Sequence, residues 1–283
     1  MWPNEFDYVR ASSVDDVIQQ TTNGMDAKIL AGGHSLLPAM KLRLSEPGKL
    51  IDISRLPDLK GISANGTLSI GALSTHAEIA ASADVQQYCA ALAGACGQVG
   101  DHQVRNFGTL GGNIAHADPA SDPPTVLVAA GATIHIQGAD GARSVSAEDF
   151  FVDLFTTDLQ MGDVITRVEI PNLSGAKTAY VKMAHPASRY AIVGVAVVLQ
   201  MNGSTCTSAR VAVGGATARA MRSSGAESAL TGSSLDDAAL NAAAAAVQSD
   251  ISEAVMGDVN YPDSYRQAMA GVYLKRAVKA AIG

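Results

Sequence analysis

The chain has 283 residues, enough for two domains, and its 47% apolar content can form a substantial core. Charged residues make up 17%, and this composition argues against a disordered chain. The formal net charge is −7 and no run of Lys or Arg occurs. Nucleic-acid binding is disfavoured, because phosphate contacts need clustered positive charge.

Cysteine use and the apolar runs restrict the class further. Cys89, Cys96 and Cys206 form no CxxC pair, and three cysteines are one short of the four thiolates that usually hold an iron–sulfur cluster. The N-terminus lacks the basic start and apolar core of a secretory signal. The longest apolar run, 191–199, is half the length of a membrane-spanning helix and favours a buried strand. We expect a soluble, cytoplasmic protein with no cluster or metal ion of its own.

The first fifty-odd residues predict strand, helix, strand, turn, short helix and strand. Ser13 followed by Asp16 is typical of a helix start, and Asn23-Gly24 is typical of its end. The strand at 27–30 runs into a pair of glycines, and another strand follows at 49–54.

Residues 61–170 add a second group of elements. Alternation in 66–72 indicates a strand, Thr75 and Glu78 form a capping box, and an apolar stripe predicts one helix over 85–99. A glycine- and proline-rich passage follows at 105–124. Strand patterns return in the sequences ATIHIQ and DVITRVEIP.

The C-terminal part begins after a linker-like sequence at 171–175. Three strand patterns, TAYVKMA, YAIVGVAVVLQM and CTSARVAVGG, precede two alanine-rich helices near 235–248 and 264–281. Sheets with helices segregated to their faces indicate an α+β fold.

Two glycine pairs share one form: an apolar residue, Gly-Gly, then a small polar group. We call residues 31–36 the first glycine segment and residues 109–113 the second glycine segment. Paired glycines permit positive φ and expose backbone N–H groups that can hold phosphate oxygens, and Ser35, Thr109 and Asn113 add side-chain donors. Neither pair fits GxGxxG or GxxxxGK[ST], and either alone is more often an ordinary turn. Two matched pairs favour a bound diphosphate.

Three longer stretches carry a resemblance to a known family. The sequences AGGHSLLPAMKLRL, RNFGTLGGNIAHADPASD and AHPASRYAIVGVAV resemble the FAD-binding (medium) subunit of the molybdenum hydroxylases, the family of carbon monoxide dehydrogenase and of the xanthine dehydrogenase flavin domain. The resemblance runs through YRQAMAGVYLKRAVKAA at the C-terminus. It implies a p-cresol methylhydroxylase-type FAD-binding fold over 1–175, with α+β subdomains of about 1–57 and 58–175, then a smaller C-terminal α+β domain over 176–283.

The resemblance also implies which residues hold a non-covalent FAD. The implied contacts are Ala31, Gly32, Gly33, His34, Ser35, Leu36, Thr109, Leu110, Gly111, Gly112, Asn113, Asp122, Ile165, Lys182 and Tyr190. In the family, an acidic residue at the position of Asp122 bonds cofactor hydroxyls, and an aromatic ring at the position of Tyr190 covers the flavin. His116 and Asp118 lie where the family varies and receive no role.

Each of these residues also has an ordinary structural interpretation. His34 at a loop edge can cap the following helix, Asp122 beside two prolines can form a turn, and Lys182 can lie on a solvated strand face. Tyr190 can be a core or interface aromatic. No nucleophile–base pair or carboxylate pair stands out, so no catalytic residue is assigned.

The family's function is electron transfer between partners. The resemblance implies a molybdenum cofactor on a large subunit, two [2Fe–2S] clusters on a small subunit, and FAD on this chain, in a dimer of heterotrimers. Electrons would leave the flavin for an external acceptor such as a quinone, NAD or oxygen. Two alternatives stay open: a self-contained flavin oxidase of the same fold, although little chain remains after residue 175 for a cap domain, and a non-catalytic nucleotide-binding assembly module.

Overall fold

The computed structural model describes residues 2–22 and 26–283. Within them lie a three-stranded, a five-stranded and a four-stranded sheet, plus a small two-stranded hairpin. Helices cover the faces of the larger sheets, so the predicted α+β class is confirmed. The predicted helix end at Asn23-Gly24 lies outside the described residues.

The first sheet is parallel and small. Its elements are β1 (Asp7–Arg10), α1 (Val14–Thr22), β2 (Ala27–Leu30), α2 (Leu36–Lys41), β3 (Lys49–Asp52) and a 3₁₀ turn at Pro57–Leu59. The strand order is β1-β3-β2, and both pairings are parallel. Ser13 caps α1 as predicted, because its Oγ accepts the Asp16 N–H at 3.1 Å. Because the strands are parallel, their carboxyl ends all lie on the same side of the sheet, where the first glycine segment begins.

The strands of the second sheet are β4 (Ile62–Asn65), β5 (Thr67–Gly71), β6 (Thr133–Gly138), β7 (Gly141–Ser146) and β10 (Val164–Pro171); β8 (Phe151–Asp153) and β9 (Thr156–Thr157) form the hairpin. The sheet is antiparallel, in the order β4-β5-β10-β6-β7. Its helices are α3 (His76–Ala81), α4 (Ala83–Tyr88), α5 (Ala90–Gln98), α6 (His102–Phe107), α7 (Leu110–His116), α8 (Asp122–Ala130) and α9 (Ala147–Phe150). The capping box of Thr75 and Glu78 before α3 is confirmed, with both reciprocal hydrogen bonds present.

The prediction of one continuous helix over 85–99 is wrong. Cys89 has φ −154° and ψ 76°, outside the helical region, so α4 ends before it and α5 begins after it. The N–H of Ala91, in the first turn of α5, donates to Thr178 Oγ1 at 3.1 Å. A tertiary acceptor from a distant strand thus satisfies a backbone group that the break frees, and local periodicity cannot reveal this.

The elements of the third sheet and its helices are β11 (Lys177–Ala184), β12 (Ala191–Asn202), β13 (Thr205–Gly214), β14 (Met221–Arg222), α10 (Ser224–Leu230), α11 (Asp237–Asp250) and α12 (Asp263–Ile282). The sheet is antiparallel, in the order β11-β12-β13-β14. Both faces of β12 are covered: Ala196 and Val198 join the core that contains α8, while Val195 and Val197 join the core that contains α11 and α12. This explains why the longest apolar run forms a strand, as predicted. Across the described residues, no helix is both long and apolar enough to span a membrane.

Candidate functional site

The first glycine segment leaves the end of β2 at the edge of the parallel sheet. Gly33 has φ +72°, in the left-handed region that favours glycine. His34 bonds the Gly32 carbonyl oxygen through Nδ1 at 2.8 Å, and the Ser35 side chain accepts no N–H of α2. Within the described part of the chain, the backbone N–H groups of residues 32–36 have no hydrogen-bond acceptor. Five consecutive donors are thus available to an anion.

The second glycine segment is a helix start, which corrects the expectation of a turn with bare N–H groups. Gly111 and Gly112 lie in the first turn of α7, and neither has a positive φ. The N–H of Leu110 donates to Ser74 O at 3.0 Å, that of Gly111 to Ala72 O at 2.8 Å, and that of Gly112 to Thr109 Oγ1 at 3.2 Å. The spacing of the glycines did not reveal this helix, because a cap from Thr109 and hydrogen bonds to the carbonyl oxygens of Ser74 and Ala72 hold its first turn.

The two glycine segments lie against each other. A Cβ built on Gly32 would be 1.9 Å from the Phe107 carbonyl oxygen, far inside contact distance. A Cβ built on Gly112 would be 3.6 Å from the Ala31 Cβ, and the His34 ring stacks on Phe107 at 5.2 Å between centroids. The segments are at least 73 residues apart in the chain, and the fold brings these two similar sequences into contact.

Gly111 explains how the second segment is held in place. A Cβ at this position would lie 2.6 Å from the Ala72 Cβ, so glycine is needed for close packing against the end of β5. The N–H of Ala72 donates in turn to Thr166 O in β10, next to Ile165, which is 6% exposed in the core. Ile165 therefore lies on the strand that supports the second glycine segment.

Asp122, the first residue of α8, lies in a buried cluster with two side chains of β11. Its Oδ1 accepts the Tyr180 hydroxyl at 2.6 Å, and its Oδ2 accepts Lys182 Nζ at 2.6 Å. Burial raises the pKa of Asp122, which the ammonium of Lys182 opposes. The interpretation of Lys182 as a solvated strand residue is wrong, because its side chain is 1% exposed.

Tyr190 ends a tight loop that begins at His185. The His185 N–H donates to Tyr190 O at 2.8 Å, and Arg189 has φ +61°, which is uncommon for a residue other than glycine. The Tyr190 side chain is half-exposed, and burial together with the carboxylates of Asp118 and Asp122 raises its pKa. The Tyr190 ring therefore lies at the protein surface and not in the core.

The sequence did not indicate three residues that take part in the candidate site: Phe107, Asp118 and Tyr180. Phe107 is two residues before the second glycine segment, and its carbonyl oxygen lies against Gly32 only because the two segments meet. The resemblance gives Asp118 no role, yet its carboxylate is one cause of the raised pKa of Tyr190. Tyr180 is two positions before Lys182 on β11, so both lie on one strand face, a spacing that could have suggested a shared partner.

His76 and the cysteines lie in packed interiors. His76 is 2% exposed below Gly108, its Nδ1 has no partner within the described residues, and burial followed by the charge of Arg105 lowers its pKa to about 4. Cys89, Cys96 and Cys206 are free and buried, and burial raises the pKa of Cys89 to about 11. These groups are structural.

Comparisons with known proteins agree with this architecture. Residues 4–173 match the family described as the FAD binding domain in molybdopterin dehydrogenase, and residues 178–281 match the CO dehydrogenase flavoprotein C-terminal domain. The two matches define a class, flavoprotein subunits of molybdenum-containing dehydrogenases, which confirms the predicted fold and enzyme class.

Individual relatives cover nearly the whole chain. It is 38% identical to the carbon monoxide dehydrogenase medium chain of Hydrogenophaga pseudoflava over 99% of this chain and 98% of that protein. It is also 38% identical to the glyceraldehyde dehydrogenase medium chain of Sulfolobus acidocaldarius, over 94% and 92%. The chain belongs to the family of FAD-binding medium subunits of the molybdenum hydroxylases.

Solved structures give the same result. The structure of carbon monoxide dehydrogenase from Hydrogenophaga pseudoflava lacking the Mo-pyranopterin moiety superposes with a TM-score of 0.95 at 38% identity, covering 100% of this chain and 99% of that one. Quinoline 2-oxidoreductase from Pseudomonas putida 86 gives a TM-score of 0.92 at 35% identity, with the same coverage.

Proposed function

We propose that this chain is the FAD-carrying electron-transfer subunit of a cytoplasmic molybdenum-dependent hydroxylase or dehydrogenase. The observation that carries the proposal is the row of backbone N–H groups at 32–36, which have no acceptor within the described residues and lie beside the second glycine segment. A diphosphate needs several oriented donors without bulky side chains between them, and this arrangement supplies them. Membership of a FAD-binding family supports the same ligand.

The residues divide into donors and supports. We assign the binding of the diphosphate to the N–H groups of Gly32, Gly33, His34, Ser35 and Leu36. Asn113 would add a donor through its side-chain NH2 group, because its Oδ1 already accepts from Ser121. Ala31 of the first glycine segment and Thr109, Leu110, Gly111 and Gly112 of the second remain predicted FAD contacts, and Gly111 and Gly112 also allow the close packing described above. Asp122, Ile165, Lys182 and Tyr190 remain predicted contacts of the flavin or ribityl part, and the domain boundary near residue 175 also remains a prediction.

FAD, when bound, would supply the redox chemistry, taking electrons from [2Fe–2S] clusters of a small subunit and giving them to an acceptor such as a quinone, NAD or oxygen. Relatives named as medium chains of dehydrogenases support partnership with a small subunit and a large, molybdenum-bearing subunit. We propose a dimer of such heterotrimers. The task of this chain's own residues is then to bind and orient the cofactor and to exclude water from it.

The test uses the purified full-length chain with added FAD. We expect about one FAD per chain that acid precipitation releases into the supernatant, which marks non-covalent binding, and loss of its visible absorbance when dithionite is added. The chain alone should oxidise no aldehyde, purine, N-heteroaromatic compound or carbon monoxide.

Other outcomes select the alternatives. Substrate oxidation by the isolated chain would favour a self-contained oxidase. A bound nucleotide without redox change would favour an assembly module, and failure to bind FAD both alone and with the partner subunits would refute the proposal.

A further inference from the structure

The hydroxyl of Tyr180 has one hydrogen-bond partner within the described residues, the carboxylate of Asp122. Both side chains are buried, and the hydroxyl donates to Asp122 Oδ1 at 2.6 Å. A phenylalanine would fill the same space at a lower desolvation cost, because a buried hydroxyl must keep a hydrogen bond. We infer that the hydroxyl is present for its bond to Asp122.

Gly194 of β12 makes room for this hydroxyl. A Cβ built on Gly194 would lie 2.4 Å from the Tyr180 hydroxyl oxygen. The next two atoms nearest to that Cβ also belong to the Tyr180 ring, each at 3.0 Å. Glycine in the interior of a strand is unfavourable, and here it permits the close approach of the tyrosine. Strand β12 is thus shaped to admit the hydroxyl that reaches Asp122.

The bond from Tyr180 fixes the plane of the Asp122 carboxylate. Lys182 Nζ donates to Asp122 Oδ2 at 2.6 Å, but a carboxylate held at one oxygen can still rotate about its Cβ–Cγ bond. A second bond, at Oδ1, removes that rotation. Each carboxylate oxygen has two lone pairs, and each of these bonds uses one of them. The remaining acceptor site on each oxygen therefore has a fixed direction.

Hydroxyl groups are donors that suit these acceptor sites. FAD carries hydroxyls on its ribityl chain and on its ribose, and Asp122 is a predicted contact of the cofactor under the proposed function. Hydrogen bonds weaken steeply when their geometry departs from the preferred directions, so a carboxylate with a fixed plane discriminates between hydroxyl positions.

We propose that Tyr180 is a positioning residue, which orients the Asp122 carboxylate toward a hydroxyl group of FAD and makes cofactor binding depend on that hydroxyl. The inference rests on the proposed function and keeps Asp122 and Lys182 as predicted contacts of the cofactor. It assigns to Tyr180 no contact with FAD, because the tyrosine acts through Asp122.

The test measures the affinity of the full-length chain for FAD and for analogues that each lack one ribityl or ribose hydroxyl. In the parent protein, at least one analogue should bind about tenfold more weakly than FAD, the typical loss of a hydrogen bond to a charged group. Tyr180→Phe should lower FAD affinity about fivefold and reduce the penalty for that analogue to about twofold. Its far-ultraviolet circular dichroism spectrum should stay unchanged, because the ring keeps its packing.

A second variant and a control accompany Tyr180→Phe. Gly194→Ala should displace the Tyr180 hydroxyl without removing it, and it should reduce the same penalty. The matched control is Tyr273→Phe on α12, which packs against the other face of β12 from α8. This control should leave unchanged the affinity for FAD and for every analogue.

An unchanged penalty in folded Tyr180→Phe would overturn the inference. An equal loss of affinity for FAD and for every analogue would also overturn it, since that result marks a purely structural role. Equal affinity of the parent protein for FAD and all analogues would do the same, because no hydroxyl would then depend on Asp122. A parent protein that binds no FAD, alone or with the partner subunits, would refute the proposed function together with this inference.

Discussion

Gly32→Ala is the smallest change that should separate the two glycine segments. The new Cβ would lie 1.9 Å from the Phe107 carbonyl oxygen and 3.2 Å from the Gly108 Cα. Both neighbours are backbone atoms, so no side-chain rotation can relieve the contact. The segments must move apart by about 1.5 Å to restore ordinary van der Waals separation.

The expected cost follows from this geometry. Overpacking a close contact typically destabilises a protein by about 1–3 kcal/mol. Because the shift occurs at the proposed diphosphate site, the donors at 32–36 would also lose their arrangement against the second segment. We expect FAD affinity to fall about tenfold to a hundredfold, which corresponds to about 1.4–2.8 kcal/mol.

Urea denaturation of the cofactor-free protein and FAD titration by flavin fluorescence measure the two effects. The control is Gly94→Ala, in α5, where the described residues place no heavy atom within 4 Å of the added Cβ. Ala is favoured over Gly in a helix by about 1 kcal/mol, so this variant should be neutral or stabilised and bind FAD normally. Normal stability and FAD affinity in Gly32→Ala would refute the close approach of the two segments.

Three further predictions concern single side chains. Gly33→Val should abolish FAD binding with an unchanged far-ultraviolet circular dichroism spectrum, because a branched residue resists the φ of +72°; normal binding would mean that this segment is an ordinary turn. Tyr180→Phe should cost about 1 kcal/mol in urea denaturation, since Asp122 keeps its bond to Lys182; no loss would contradict the buried cluster. The lowered pKa of His76 means that, below pH 6.5, the unfolded chain binds more protons than the folded chain. The stabilisation linked to this group is therefore fully present above pH 6.5, and the free energy of unfolding falls by about 3 kcal/mol in total as the pH is lowered to about 4. His76→Leu should remove this part of the pH dependence of urea denaturation, and an unchanged slope would refute it.

The sequence was sufficient for elements whose signals are local. The capping box of Thr75 and Glu78, the buried strand at β12 and the two alanine-rich helices each depend on residues close together in the chain, and each is found in the structure. The break at Cys89 and the helical start of the second glycine segment depend on acceptors supplied by Thr178, Ser74 and Ala72. Periodicity and spacing do not contain those contacts.

The site shows the same division. The shared form of the two glycine pairs predicted a common role, and the fold places them in contact. The burial of Lys182 could not be derived from the sequence, because two of its partners, Asp122 and Gln98, lie 60 and 84 positions away in the chain. A lysine alternating with apolar residues on a strand has the pattern of a solvated face. The end of α5, the start of α8 and the loop that ends at Tyr190 pack against Lys182 and bury it.

The most direct test of electron transfer mixes the FAD-loaded chain with its small and large subunits and follows the visible flavin absorbance after substrate is added without an acceptor. We expect substrate-dependent loss of absorbance only when all three subunits are present, and recovery of the absorbance when an acceptor is supplied. Substrate-dependent loss of absorbance with this chain alone, or an oxidised flavin in the complete complex while substrate is consumed, would refute electron transfer from the partner subunits to this flavin.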